Sequence, residues 1–458
     1  MAEKWSVAYE NLRKFVADHP EIKIDATSVV IMGDIRTDFY RYFDIVRDTF
    51  VKEYCAAKLE EAYAVGKAYA DISKLVQQEM SLEAIDVSGS LEGFLKDPLK
   101  SMRSALFTPL FDLLKNKTDE TGFVAEAQMA IDDFYKVTYC EAYNRWGTMS
   151  LLHLLRSSCL WDGKPRDLDS NPHNHTEFFP GLHDDDVPEL QQGSRLEFAY
   201  IQKASFVMPD VLVQSNYLNA YVSLKSQWYE ARWKAKVLNE KLEWLDLPYL
   251  YSGLGKCLPN MTIHLARESA DELRLLSDFF HMARPDIMLE FMEEDNWYDP
   301  QCIEGIILRN KMFSPRLGSY VISRVVVPQE AFGMLGAGSV ADSQQQKDAV
   351  PQAVSAEIKP TEELIVEEVT LDRSLPSSSL PVNGPLSDLP DSIHVLNVGY
   401  DINALEPVVQ ALSQWLAQQD EEASIEPDPV ELPLVNQLET EEVFITNQEQ
   451  KAGDTPAT

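Results

Sequence analysis

The sequence predicts an α/β (α+β) chain: a mainly helical N-terminal lobe, a mixed-sheet α/β unit, a disordered linker and an acidic C-terminal tail. Three observations predict it. Apolar residues recur every three or four positions through most of the chain from Trp5 to Leu155. Between 194 and 327 that spacing gives way to short apolar runs set between helices. Beyond 334 the periodicity fades and acidic residues accumulate.

Taken in order, residues 3 to 18 predict a helix that stops before Pro20, and Ile22 to Met32 has strand character. From Asp34 the pattern is helical: Ile35, Phe39, Phe43, Val46 and Phe50 form one apolar stripe, expected to be core packing. Helical spacing continues from Ala56 to Met80, breaks at Ser88-Gly89-Ser90, and returns over Ser101 to Leu114 and Phe123 to Leu155. Residues 1–160 therefore read as the helical lobe, and 161–193 as a polar loop rich in Pro, Asp, Asn and His.

The α/β unit, 194–333, offers strand runs at Leu196 to Ile201, Ser205 to Val213 and Ala220 to Lys225. A charged helix over Trp228 to Leu242 follows, then a strand at Met261 to Leu265, a further helix, and a strand at Asp286 to Phe291. Residues 334–391 read as linker, 392–417 as a strand and helix too small to bury their own apolar face, and 418–458 as acidic tail. The 392–417 segment is expected to dock on the body or on a partner.

Charge limits the function classes. The chain carries a formal net charge of -34 over 458 residues. From residue 336 onward 23 acidic residues face four basic ones, which leaves -15 for residues 1–335. An acidic body lacks the usual footprint of a nucleic-acid binder, although a local basic stripe can coexist with it. Lys225 to Lys241, with Trp and Tyr interleaved, is the most basic stretch; it can track a phosphate backbone or be an ordinary solvated helix face. Five widely spaced cysteines without a CxxC suit a reducing compartment, and no apolar run approaches the roughly 18 residues of a membrane span. A cytoplasmic protein without membrane contact is the expectation.

Two stretches invite chemistry. In 171–186, His173, His175, His183, Glu177 and Asp184-Asp185-Asp186 are metal-ligand types, yet nothing there predicts a rigid element to hold them, so an exposed loop is favoured. Gly253-Leu254-Gly255-Lys256 lacks the spacing of a phosphate loop. The second stretch is the α/β unit itself. Asp210 at a strand start and Lys225 at the end of the next strand can face each other across a hairpin. Glu240 on the following helix can complete a carboxylate pair, with Glu197 as an extra ligand. Carboxylates converging on magnesium, with a cation near the attacked phosphate, are what metal-assisted phosphodiester hydrolysis needs.

At these residues the chain resembles the PD-(D/E)XK nuclease superfamily, specifically its type II restriction enzymes with an SxK middle motif. Pro209-Asp210 matches the first motif and Ser223-Leu224-Lys225 matches SxK. Glu240 stands near the place of the acid on the next helix, and Arg232 matches a basic position on that helix. The likeness runs from 194 to 275. It implies a magnesium-dependent DNA endonuclease with Asp210, Lys225 and Glu240 catalytic, Asp210, Glu240 and Glu197 on the metal, and Arg232 on the substrate. A second placement uses Pro285-Asp286, Glu290, Glu304 and Lys311. The competing expectation is a non-catalytic interaction protein that recruits a protein partner through 392–458. An ordinary sheet with exposed Lys and Glu on its helices accounts for the same residues.

Overall fold

The computed structural model describes residues 4–163, 190–198, 209–226, 240–246, 258–277, 281–328 and 389–424, with Ala331 and Leu386 besides. It divides into two units, Met1–Trp415 and Leu416–Thr458. In the second, the described residues 416–424 are helical.

The first unit begins with helix α1 (Trp5–Asp18) and an antiparallel hairpin of β1 (Ile22–Ile24) and β2 (Val29–Ile31). Asp25 ties the hairpin turn by accepting from Thr27 N and Ser28 N, both at 2.7 Å. Helices α2 (Ile35–Tyr54) and α3 (Ala56–Glu79) follow, then β3 (Ala84–Asp86). Phe39, Phe43, Val46 and Phe50 are fully buried, so the apolar stripe is core. Short helices α4 (Gly89–Lys96), α5 (Pro98–Ser104) and α6 (Phe107–Leu114) lead into the 35-residue α7 (Glu120–Leu154). Ser88, Asp97 and Asp119 start α4, α5 and α7 as side-chain caps, each satisfying a backbone N–H that the helix leaves free.

An eight-stranded mixed sheet is built from β4 (Ser157–Gly163), β5 (Leu190–Gly193), β7 (Val211–Ser215), β8 (Ala220–Lys225), β10 (Met261–Ala266), β12 (Ile287–Met292), β13 (Ser319–Ser323) and β14 (Ile393–Asn397). Their order is β5-β4-β7-β8-β10-β12-β13-β14. Pairing is antiparallel from β5 to β12 and parallel from β12 to β14. Parallel neighbours need a crossover, and α8 (Pro300–Phe313) supplies it between β12 and β13. Besides the β1–β2 hairpin, two small pairs stand outside this sheet among the described residues: β6 (Arg195–Glu197) with β3, and β9 (Trp244–Asp246) with β11 (His281–Ala283). The last helix is α9 (Glu406–Ser424).

All six residues of β12 are buried, as a strand covered on both faces requires. Phe291 faces α7, where a Cβ on Gly147 would lie 2.1 Å from its ring; only glycine lets the helix come this close. Glu290 and Met292 face the other side, where α8 places Arg309, Ile303 and Ile306. The fold class is α/β, as expected. Among the described residues no helix is long and apolar enough to cross a membrane.

Several local expectations change. Strands β4 and β5 bracket the expected polar loop and pair with each other, extending the sheet, while 164–189 lie outside the described residues. Between β10 and β12 there is a 3-10 turn (Ala270–Leu273) and β11 instead of a helix; Leu273, Leu276 and Ala283 bury there as a short cluster. Residues 240–242 form a turn and bend rather than a helix end. Strand β14 docks on the body, pairing with β13 in register Ser319↔Ile393. Gly318 makes that approach possible: its φ is +89°, and a Cβ would meet the Ser392 carbonyl oxygen at 2.4 Å. Helix α9 runs to Ser424, beyond the expected boundary at 417, because the acid-rich stretch still holds good helix formers. Residues 332–385 and 425–458, most of the expected linker and tail, lie outside the described residues.

Candidate functional site

In the β7–β8 hairpin the last registered pair is Val211↔Leu224, so Asp210 and Lys225 stand across from each other one residue further along. Asp210 N donates to Leu224 O at 3.0 Å and extends the ladder to this point. Its Oδ2 accepts from Ser226 Oγ at 2.9 Å and also from Ser226 N. Lys225 is fully buried and pairs across the sheet with Thr262 of β10. Burial pushes its ammonium down to about 8, against the opposing pull of Asp210.

Strand alternation sets a row of polar side chains on this same face: Ser223 and Lys225 of β8, Thr262 and His264 of β10, then Asp286 and Glu290 at β12. Ser223 Oγ, Thr262 Oγ1 and His264 Nδ1 are buried without a hydrogen-bond partner among the described residues. His264 Nε2 lies 3.2 Å from the Ala283 carbonyl oxygen and so is the protonated nitrogen of a neutral ring. Burial holds His264 down at about 4, with the Ala283 carbonyl opposing. Asp286 accepts from Arg316 at 2.8 Å and from Leu265 N at 2.7 Å. Glu290, 1 % exposed, pairs with Arg309 of α8. In both acids burial pushes the carboxyl up and the facing arginine opposes it.

Among the described residues, neither Glu240 nor Glu197 stands beside Asp210 and Lys225 in the sheet. Glu240 is exposed on the turn before β9. Glu197 lies in β6, which pairs with β3 in a separate two-stranded sheet. Arg232 lies outside the described residues, as does the 171–186 stretch. In the second placement Asp286 immediately precedes β12 and Glu290 lies within it, whereas Glu304 and Lys311 are exposed on α8. Magnesium takes oxygen ligands in octahedral geometry and uses one or two carboxylates with bound water. Among the described residues no three His, Cys, Asp or Glu side chains gather around a common point. Of the acids that the resemblance places on the metal, neither Glu240 nor Glu197 shares a structural element with Asp210 among the described residues.

One arrangement escapes the sequence reading. Asn260, just before β10, accepts from Phe291 N at 2.8 Å through its side chain. Its own N–H reaches the Glu290 carboxylate. Met292 packs with Trp297, Ile303 and Ile306 in an apolar cluster. Only the β10–β12 register shows that these distant positions are neighbours.

Comparison with family models, with curated proteins and with solved structures yields no match for this chain.

Proposed function

We propose that this chain is a non-catalytic interaction protein built on a nuclease-like sheet. The observation that supports it is the buried Glu290–Arg309 pair beside the Asn260 amide. Glu290, the acid of the second placement that lies within β12, is already paired with Arg309 and stands beside an amide rather than a second acid. Charge then serves association: residues 425–458 hold eight acids and one lysine, a composition suited to a basic protein surface.

A second reading, a magnesium-dependent DNA endonuclease, is favoured by the facing of Asp210 and Lys225. An amine held at about 8 can accept the proton of an attacking water near neutral pH. The two readings separate on supercoiled plasmid incubated with the purified full chain and magnesium or manganese. The interaction reading expects no nicking above a metal-only control. Nicking that Asp210→Ala abolishes would overturn it and establish the second reading. Nicking that survives Asp210→Ala would overturn both.

A further inference from the structure

At the other end of the β7–β8 hairpin, away from Asp210 and Lys225, lies a cleft of about 620 Å³. The C-terminal end of α7, the hairpin turn and the first turns of α9 enclose it, with Glu79, His153, Arg156, Ser157, Asn216 and Glu406 among its walls. Two of these satisfy each other: His153 Nδ1 lies 2.9 Å from both carboxylate oxygens of Glu79. Asn216 accepts from Ser158 Oγ at 3.1 Å. The other three have unspent capacity. Ser157 is 3 % exposed, and its Oγ has no hydrogen-bond partner among the described residues. Arg156 and Glu406 form no ion pair among the described residues, which sets their charged groups more than 4.0 Å apart.

Arg156 also occupies a costly backbone position. It follows the C-terminus of α7 with φ at +49°, in the left-handed region where helices usually place glycine. Holding a long basic side chain there is unfavourable for the fold, and such outliers gather at ligand sites.

A simple anion in this cleft would meet Glu406, and a simple cation would meet Arg156. A ligand bearing both charges matches both. We infer that the cleft binds a small zwitterion of the free α-amino-acid class. Its carboxylate lies on the Arg156 guanidinium, a planar donor fork suited to two parallel hydrogen bonds. Its ammonium lies on Glu406. The volume falls in the range of small-ligand pockets. The site is independent of the function proposed above.

The test is titration calorimetry and thermal unfolding of the full chain with each of the twenty L-amino acids in turn. At least one should bind saturably and raise the melting temperature. Arg156→Gly, which suits the left-handed backbone and so keeps the fold, should weaken that binding tenfold or more. Glu406→Gln should do the same, and so should N-acetylation of the amino acid. The inference is overturned if no amino acid shifts the melting temperature, if both variants bind as the parent does, or if the acetylated form binds equally well.

Discussion

Replacing Arg309 by Met strips the guanidinium from a carboxylate that is 1 % exposed, while keeping most of the aliphatic volume. Breaking a buried pair from one side leaves an uncompensated charge and costs about 3–5 kcal/mol. Arg309 is itself only 12 % exposed, so solvent cannot take over its role. The sign with pH follows from Glu290, whose carboxyl is raised in the fold by burial and held back by Arg309. A raised acid gives its stabilisation below the usual glutamate range and loses it as pH rises through the folded value. Without Arg309 that value rises further, so Arg309→Met should be destabilised most at neutral pH and should recover part of the loss towards pH 4. Urea unfolding at both pH values reads this directly. The double change Glu290→Leu with Arg309→Met should return to within about 1 kcal/mol of the parent, as apolar replacements of buried pairs often do. Magnesium should rescue none of it. A single variant within about 1 kcal/mol of the parent at neutral pH, or one restored by magnesium, would refute the view that this acid is spent on structure.

Lys225→Met tests the other buried charge. Because its folded value is about 8 against an ordinary 10.5, the parent should gain stability between pH 8 and 10.5, where the unfolded chain binds the extra proton. The variant should lack that rise and gain roughly 3 kcal/mol at pH 7; identical pH profiles in urea unfolding would contradict this. Gly147→Ala forces a Cβ into the Phe291 ring, and thermal unfolding should show a loss of about 1–3 kcal/mol from overpacking. Asp299→Ala removes the cap that accepts from Gln301 N at 2.8 Å and Cys302 N at 3.1 Å. It should cost about 1 kcal/mol and increase amide exchange in the first turn of α8.

Much of the element list was legible because its signals are local. The stripe from Phe39 to Phe50 fixes which face of α2 is buried, whatever that face meets. The run Ala220–Lys225 is a strand with the boundaries expected of it, and Met261 and Ile287 open strands close to where they were expected. The facing of Asp210 and Lys225 was legible for the same reason, since a short turn leaves a hairpin few possible registers. Glu240 was misplaced where the Lys- and Glu-rich pattern suggested that one helix continues. The turn at 240–242 instead leads into β9, whose pairing with β11 is a distant contact.

The sequence by itself determined the helical character of the first lobe, the apolar runs of the sheet and the acid-rich C-terminal stretch, since periodicity and charge act between near neighbours. Only the tertiary structure decided the strand order, the return of β14 to the edge of β13, and the meeting of Asn260, Glu290 and Arg309. Closing a longer loop costs only logarithmically more, so separation along the chain says little about which strands become neighbours. Packing and register make that choice, and with it they decide whether an acid is left to bind a ligand or is consumed in holding a helix to a sheet.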